Sequence, residues 1–523
     1  MTQSKHDIPD KGITNIYSTF LNYTVKDNRK NDNSYIYHRE DDDETTGLLN
    51  EDFCTKRKQN PESYWSHFQW LFSSIVALVS CKFIGQLARL VTVSAVGHLG
   101  SQELAGMSLA QMFESCTTLS LVLGLISALD TLCGQSWTGA KDKTIVGLYL
   151  QRSIMVYTAI TIPIVICWGI CLKLLQYDGN TNEDVIRYAG IYLLFFLPGA
   201  IAYAVFHMAA SYLQAQGIMR IGAYGALLSL PVTVAANYIL VAGKPFELGA
   251  AGAALADGAS YITTMLIIIG YIVFVTGYQG WSGWDFRNAI RGWGPIIRLM
   301  LPSICLHLLH SGIPQLCTFA TSRFGASYYL SAHFILLRSS LAFQAFGHGV
   351  KHATATRIGN LMGQGSLGDA RRAILIGALI AFAIGTASAT VLMIYRWDYP
   401  YLYTNDDEVA RVVSEVIPMV ALQLFVLPTS NLGLGICDGL GQQRLSLIMT
   451  FVAYFIVGVP ACYFFAFTMK WAVFGLWTGL VVAEFSFPIA LFLGLWMLDW
   501  SKEVRGIKQR IEKEQQIDTM VNH

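Results

Sequence analysis

Long apolar runs follow one another through most of the chain, from about residue 68 to residue 498. Each run is near the ~20 residues that an α-helix needs to cross a hydrocarbon core of ~30 Å. The runs are continuous, whereas strands of a membrane barrel alternate apolar and polar residues, so the pattern predicts helices. We expect an all-α integral membrane protein with twelve spans, at 68–95, 104–131, 145–173, 185–214, 219–242, 249–275, 292–319, 328–354, 369–397, 409–437, 443–469 and 472–498.

The two ends of the chain are polar. Residues 1–63 are rich in Asp, Asn, Lys, Ser and Thr, which predicts a disordered tail without a cleavable signal peptide. Basic residues precede the first span (Lys56, Arg57 and Lys58) and follow the last one (Lys502, Arg505, Lys508 and Arg510). An even number of spans and the positive-inside rule therefore place both termini in the cytoplasm.

Similar residue pairs recur at one offset of about 225 residues. Gly134-Gln135 after the second span corresponds to Gly359-Asn360 after the eighth, and Ala215-Gln216 corresponds to Gly441-Gln442. The offset covers six spans, so two lobes of six helices should share one orientation and be related by a parallel pseudo-two-fold repeat. The predicted domains are a tail (1–63), a first lobe (64–275), a cytoplasmic linker (276–291), a second lobe (292–498) and a cytoplasmic tail (499–523).

Composition narrows the function classes. Hydrophobic residues make up 53% of the chain and charged residues only 14%, against roughly a quarter in a soluble domain. A net charge of +1 gives no reason to expect nucleic acid as a partner, so the expected partners are the lipid bilayer and a small organic substrate. The chain has no phosphate-binding loop and no catalytic or metal-binding sequence motif, so neither an enzyme nor a bound cofactor or metal is expected.

Carboxylates inside spans are costly and therefore candidates for proton coupling. Glu114 in the second span is the first candidate, and the alternative is a carboxylate paired with Lys82 or Arg89 of the first span. Asp257 and Glu484 occupy related places, about 227 residues apart, and could be proton or substrate sites or simply be neutralised by packing partners.

The seventh and eighth spans are unusually basic. His310 could exchange protons near neutral pH, although a hydrogen-bonded packing histidine is the alternative. If Arg338, Lys351 and His310 face a central cleft, they would favour anionic or neutral substrates over cations; Lys351 could instead be a cytoplasmic anchor. His348 and His352 share a helix face, but no further ligand is near them in sequence to complete a metal site. Aromatic rings such as Tyr203 and Tyr238 could form an apolar substrate surface.

A family resemblance rests on several stretches in order. The stretch 124–135 (GLISALDTLCGQ) is followed by GAK at 139–141 and YLQRS at 149–153, and then by YLQAQ at 212–216, TRIGN at 356–360 and GVP at 458–460. These stretches resemble the eukaryotic branch of the multidrug and toxic compound extrusion (MATE) family. The resemblance implies twelve helices in two lobes and efflux of organic molecules, driven chiefly by protons and less by sodium. It also implies signature roles, mostly structural, for Asp130, Gly134, Gln135, Gln214, Gln216, Arg357, Gly359 and Asn360.

The chain departs from the pattern of this family in its second half. Counted from Leu301-Pro302-Ser303, the positions where relatives usually carry glutamates hold His310 and Gln315, so Gln315 becomes a substrate-cleft candidate with Arg338. The tenth span lacks the usual Asp, and Asp438 replaces a basic residue. The carboxylate proton site that relatives have in the second lobe therefore cannot be assigned to this chain. In the first lobe, Asp130 is expected to bond loop backbone and orient the turn after the second span.

The sequence predicts a monomeric multi-pass secondary transporter that exchanges organic compounds for protons by alternating access. Two alternatives stay open, an organic-anion carrier with altered coupling and a membrane sensor or scaffold that no longer transports. An acidic dileucine stretch, Glu44 to Leu49, resembles a signal for a sorting adaptor and favours a vacuolar or endosomal membrane, with the plasma membrane as the other location.

Overall fold

The computed structural model describes residues 62–522, except 98, 100, 179–182, 243–247, 276, 322–326, 404 and 405. The dileucine stretch and nearly all of the predicted disordered tail lie outside these residues. Almost all of the described chain is helical, and no β-strand occurs in it.

The first half of the chain contains six long helices. Two of them continue through a π-helical turn, α2 at Ser115–Leu119 and α5 at Tyr238–Ala242. The helices are α1 (Tyr64–Gly97), α2 (Ser101–Glu114 and Ser120–Gly139), α3 (Ile145–Asp178), α4 (Glu183–Ala215), α5 (Ile221–Asn237) and α6 (Ala250–Phe274).

The second half repeats this series and adds a terminal helix. The helices are α7 (Gly294–Thr321), α8 (Ser327–Gln364), α9 (Leu367–Ile394), α10 (Asp407–Leu440), α11 (Gln443–Phe451 and Val459–Tyr463, each followed by a π-helical turn), α12 (Ala472–Trp496) and α13 (Trp500–Asn522). Among the described residues, ten helices are long and apolar enough to cross a membrane. Of the twelve helices before α13, the other two are α7 and α8, which the sequence analysis identified as basic.

Two helices extend well beyond their apolar runs. α2 continues to Gly139 and α8 to Gln364, whereas the hydropathy pattern predicted ends at 131 and 354. Gly134-Gln135 and Gly359-Asn360 therefore lie inside helices, and the prediction that they follow the spans as loops is wrong. The helices continue because their last polar turns pack against each other: a β-carbon on Gly134 would lie 3.6 Å from Cα of Gly359.

One end of the bundle carries the start of α1, the ends of α2 and α8, and α13; we call it the terminal face. Ile507 and Ile511 of α13 are buried there, one helical turn apart. A β-carbon on Gly139 of α2 would lie 2.8 Å from the side chain of Ile511, and one on Gly365 after α8 would lie 3.5 Å from Lys508. The chain after the last span is thus a helix that touches both halves.

The stretch between the halves, predicted as a linker at 276–291, forms two short turns at Tyr278–Gly280 and Phe286–Ala289. Gln151 of α3 anchors it: its Nε2 donates to the carbonyl of Gly283 at 2.7 Å, and its Oε1 accepts from the backbone N of Asp285 at 2.9 Å. The linker is therefore held against the first half.

Glycines at related positions of the two halves allow the last long helix of each half to pack closely against the helix before it. A β-carbon on Gly252 of α6 would lie 2.2 Å from the carbonyl oxygen of Leu240, and one on Gly479 of α12 would lie 2.4 Å from the backbone N of Cys462. In both cases the helix packs against the backbone of the preceding helix. Gly252 and Gly479 are 227 residues apart, close to the offset of the repeat, and both are positions where only a residue without a side chain fits.

The substitution Gly479→Ala should lower the thermal unfolding temperature of the purified protein. The added methyl meets backbone atoms that cannot move aside, and overpacking of this kind costs about 1–3 kcal/mol. Gly169→Ala is the matched control because a β-carbon there meets no atom within 4 Å. Equal unfolding temperatures for the two variants would contradict this packing.

Candidate functional site

Asp257 lies in a buried hydrogen-bonded network in the first half of the bundle. Thr92 Oγ1 of α1 donates to Asp257 Oδ1 at 2.6 Å, and the Tyr192 hydroxyl of α4 donates to Oδ2 at 2.7 Å. Asn237 Nδ2 of α5 in turn donates to Thr92 Oγ1 at 3.1 Å. Four helices thus converge on one carboxylate, which satisfies its oxygens without water.

Arg89 lies beside this network and joins it to the second candidate carboxylate. Its guanidinium is 3.6 Å from Glu114 Oε1, and its Nε donates to the Tyr261 hydroxyl at 3.2 Å. Of the two pairings considered from the sequence, Arg89 is the observed partner of Glu114. Glu114 is 5% exposed and directly precedes the π-helical turn of α2, a local irregularity that is common at functional sites.

The network combines two carboxyl groups with one guanidinium, and we call Arg89, Glu114 and Asp257 the acid–arginine cluster. Asp257 acts electrostatically on Glu114, and both carboxylates act on Arg89. With both acids ionised the cluster carries one uncompensated negative charge in the interior of the bundle. Because an unpaired buried charge is strongly unfavourable, the cluster is suited to bind one proton.

Glu484 lies in the second half, in the helix that corresponds to that of Asp257. The Tyr454 hydroxyl donates to Glu484 Oε2 at 2.5 Å, so each of the two repeat-related carboxylates accepts from a tyrosine. No Lys or Arg forms an ion pair with Glu484 in the described part of the chain. His310 packs with its ring centroid 5.1 Å from that of Tyr454, and its buried Nε2 has no hydrogen-bond partner there.

Asp130 and His352 link the two halves near the terminal face. His352 Nδ1 of α8 lies 2.9 Å from Asp130 Oδ2 of α2, and Ser211 of α4 donates to the other carboxylate oxygen. Asp130 therefore lies within a helix and bonds side chains. The expectation that it bonds loop backbone is wrong because α2 continues past it to Gly139.

Asp438 forms a second link beside the first. Ser127 Oγ of α2 donates to Asp438 Oδ1 at 2.8 Å, and Lys351 Nζ of α8 lies 3.0 Å from Oδ2. The side chain of Lys351 is mostly buried, so it is an ion-pair partner in the interior and not a surface anchor. Together, Asp130, His352, Asp438, Lys351 and Ser127 form what we call the inter-half network.

The signature residues surround this network. Gln135 Nε2 donates to the carbonyl of Gly439 at 2.8 Å, and Asn360 Nδ2 donates to that of Ala215 at 3.2 Å. Both bonds cross between the halves, and they lie beside the close approach of Gly134 and Gly359. The signature thus serves the contact between the halves.

The remaining signature residues lie at the edge of this contact. Arg357 bonds Glu62, which precedes α1, and its guanidinium lies over the Trp70 ring at 5.1 Å. Gln216 Nε2 is 3.4 Å from the carbonyl of Gly277, and Gln214 is half-buried in the last turn of α4.

The predicted substrate-cleft residues do not come together in one place. The Tyr203 ring packs against Tyr261 at 4.9 Å and so belongs beside Arg89. Tyr238 is 75% exposed and lines a separate apolar cavity of about 600 Å³ between α1 and α5. Gln315 and Arg338 lie in α7 and α8, but their side chains fall outside the described part of the structure.

Several residues of the site escaped the sequence analysis. Thr92, Tyr192 and Tyr261 carry no charge at neutral pH, so a search for charged groups in apolar runs passes over them. Helical spacing could have found two of them: Thr92 lies three residues after Arg89, and Tyr261 lies four after Asp257, each on the same helix face. Among the described residues, no three His, Cys, Asp or Glu side chains are grouped so that they could hold a metal ion.

Comparison with known proteins places this geometry in a family. The MatE family model matches the chain twice, at residues 79–239 and 302–464, and together the matches cover more than half of it. The two matches fall one in each half, in agreement with the repeat.

The chain is similar to curated proteins over most of its length. "Uncharacterized transporter C4B3.13" of Schizosaccharomyces pombe is 32% identical over 430 residues, which are 81% of this chain and 78% of the relative. "Protein DETOXIFICATION 16" of Arabidopsis thaliana is 30% identical over 461 residues, 86% of this chain and 91% of the relative.

A solved structure has the same fold. The crystal structure of the eukaryotic MATE transporter AtDTX14 superposes with a TM-score of 0.79 at 23% identity, covering 86% of this chain and 100% of that one. The predicted fold class, an all-helical membrane protein of two six-helix lobes, is thereby confirmed. The chain is a multi-pass integral membrane protein and belongs to the MatE family of multidrug and toxin extrusion transporters.

Proposed function

We propose that the protein exports small organic compounds in exchange for protons, by alternating access. The acid–arginine cluster is the observation that carries this proposal, because the Arg89 guanidinium pairs with buried Glu114 beside a second buried carboxyl group, that of Asp257. The name of the plant relative, Protein DETOXIFICATION 16, supports organic compounds as the transported substrates. Exchange for protons needs a group that binds one proton in the interior and releases it when the substrate binds.

Glu114 is the proton carrier in this proposal. Protonation places a hydrogen on a Glu114 carboxyl oxygen and removes the charge that holds Arg89 3.6 Å away. Arg89 is then left with the Asp257 network, next to Thr92 on its own helix. A proton thus removes an ion pair between α1 and α2 and leaves Arg89 of α1 beside the Asp257 network of α6. Such a difference in contacts between two states is what shifts a two-state equilibrium.

The first half is preferred over the second as the proton site. Protonation of Glu484 would break no ion pair in the described part of the chain, so it would change fewer contacts than protonation of Glu114. Protons are preferred over sodium because the Arg89 guanidinium, within 3.6 Å of the Glu114 carboxylate, would repel a bound metal cation.

The inter-half network is the gate in this proposal, and the terminal face is the cytoplasmic side. The lysines and arginines of α13 support that orientation under the positive-inside rule. Opening toward the cytoplasm has to separate Asp130 from His352 and the backbones at Gly134 and Gly359. α2 carries Glu114 as well as Asp130 and Gly134, which form these contacts. A movement of α2 that follows protonation of Glu114 would therefore also displace the gate. A vacuolar, endosomal or plasma membrane is the proposed location.

Glu114→Gln and Asp257→Asn should each abolish substrate flux driven by a pH gradient in proteoliposomes. Neither amide can bind and release a proton, so we expect at least about a hundredfold loss, comparable to the upper range for removing a general acid or base. Glu484→Gln should retain most of the flux. Glu415→Gln is the matched control because Glu415 is an exposed glutamate of α10.

Full gradient-driven flux in Glu114→Gln and Asp257→Asn would contradict the proposed proton site. Loss of flux in Glu484→Gln alone would move the site to the second half. Absence of flux in the unmodified protein with both cationic and anionic substrates would favour the alternative of a membrane sensor or scaffold.

Asp130→Asn should open the terminal face. The amide keeps the shape of the side chain but loses the charge that attracts His352, so the population open at this face should rise. Spin labels at exposed Asp142 and Gly368, which follow α2 and begin α9, report the separation of the halves by electron–electron distance measurement. Ser366→Ala near the same face is a control that leaves the network intact. Unchanged distance distributions in Asp130→Asn would contradict the gate.

A further inference from the structure

Six basic side chains from both halves gather between the acid–arginine cluster and the terminal face. Four helices contribute them, and we call them the basic cluster: Lys82 of α1, His207 of α4, His307 of α7, and His348, Lys351 and His352 of α8. On α8 the three residues are spaced i, i+3 and i+4 and so share one face.

Close packing of α1 and α8 brings the cluster together. A β-carbon on Gly349 would lie 2.6 Å from Cγ2 of Val79, so the two helices are in direct contact there. His348 precedes Gly349, and Lys82 follows Val79 by three residues. The ionisable side chains that act on His348 are Lys82, His352, Lys351 and His307. All of these neighbours are basic.

His207 extends the cluster to α4. The charges that act on it are those of Lys82, His352 and Arg89, again all basic. His207 lies one helical turn before Ser211, which bonds Asp130. The cluster therefore lies directly against the inter-half network.

The acidic residues nearby have other partners, and Glu114 of the acid–arginine cluster is paired with Arg89. Asp130 is engaged by His352 and Asp438 by Lys351. Lys82 forms no ion pair or hydrogen bond with any described residue, and no carboxyl group of the described chain is among the ionisable neighbours that act on it. The buried Nε2 atoms of His307 and of His310 likewise have no partner among described residues. An unpaired cation inside a membrane protein is costly, and a ligand that supplies negative charge would balance it.

The cluster is accessible as well as unbalanced. Lys82, His207, His307 and His348 are half-buried, so each keeps part of its surface outside the protein packing. The Tyr203 and Phe206 rings lie with their centroids 4.4 Å and 4.7 Å from that of His207. An aromatic or apolar body with an acidic group would meet both kinds of surface here.

We propose that the transported substrate is an organic anion, whose carboxylate or sulfonate binds Lys82, His348 and His207 between the two halves. The inference rests on the proposed transport function and names its substrate class. Lys82 repels a lipophilic cation from this place. The positions named here differ from those expected from the sequence: Lys82, His207 and His348 replace Arg338 and His310 as the basic contacts.

Binding of two dyes to the full-length detergent-purified protein tests this proposal. Carboxyfluorescein and a cationic rhodamine share the xanthene ring system and differ mainly in charge, and fluorescence anisotropy measures the affinity of each. Carboxyfluorescein should bind more tightly than the rhodamine. Lys82→Met should weaken carboxyfluorescein binding about tenfold to a hundredfold, the loss expected for one charge-assisted hydrogen bond. Lys82→Arg should retain most of the affinity.

Lys173→Met is the matched control, because Lys173 is an exposed lysine within α3. His348→Gln gives a second test that does not depend on the folding of Lys82→Met and should weaken carboxyfluorescein binding as well. Equal affinity for the two dyes, or unchanged carboxyfluorescein affinity in both Lys82→Met and His348→Gln, would overturn the proposal.

The binding measurement needs no proton gradient, so it separates this proposal from the proposed coupling. Tight, Lys82-dependent binding of carboxyfluorescein without gradient-driven flux supports the anion site and refutes proton exchange. Gradient-driven flux of the rhodamine without carboxyfluorescein binding supports proton exchange and refutes the anion site.

Discussion

The free-energy cost of burying charged side chains away from water is the constraint on which most of this structure depends. The bundle holds Arg89, Glu114, Asp257, Asp130 and Asp438 among apolar helices, and each of them has a polar or oppositely charged partner. A single unpaired charge in such a place costs several kcal/mol, which is comparable with the net stability of many proteins. In the proposed mechanism these charges therefore change their partners together.

The acid–arginine cluster and the inter-half network lie in different parts of the bundle. The acid–arginine cluster lies within the first half, where Thr92 and Tyr192 fix one carboxylate and Arg89 holds the other. The inter-half network lies between the halves, where α2 and α8 meet at paired glycines. α2 belongs to both sites, since it carries Glu114 at the π-helical turn and Asp130 four helical turns later. In the proposed mechanism a proton taken up at the first site alters the contact at the second through α2.

The sequence predicted the fold well because the bilayer imposes a simple rule on helix length and polarity. The rule failed where polar residues form their hydrogen bonds with other protein groups instead of with water. α2 and α8 continue through Gly134-Gln135 and Gly359-Asn360 because the partners of those turns lie in the opposite half, and the same error placed Asp130 at a helix end. Candidate carboxylates were found from their charge alone. The proposed role of Lys82 depends on its having no ion-pair partner among the described residues, and a sequence cannot show such an absence.

The central claim is that Glu114 gives up a proton when substrate binds. Calorimetric titration of the purified protein with whichever xanthene dye binds, repeated in buffers of different ionisation enthalpy, counts the protons displaced. Since coupling between two ligands is reciprocal, the account predicts that the unmodified protein releases about one proton more for each dye molecule bound than Glu114→Gln does. An anionic dye also favours protonation of the His348 and His207 side chains that bind it, and this uptake is common to both proteins. Equal proton release by the unmodified protein and by Glu114→Gln, or none by either, would contradict the account.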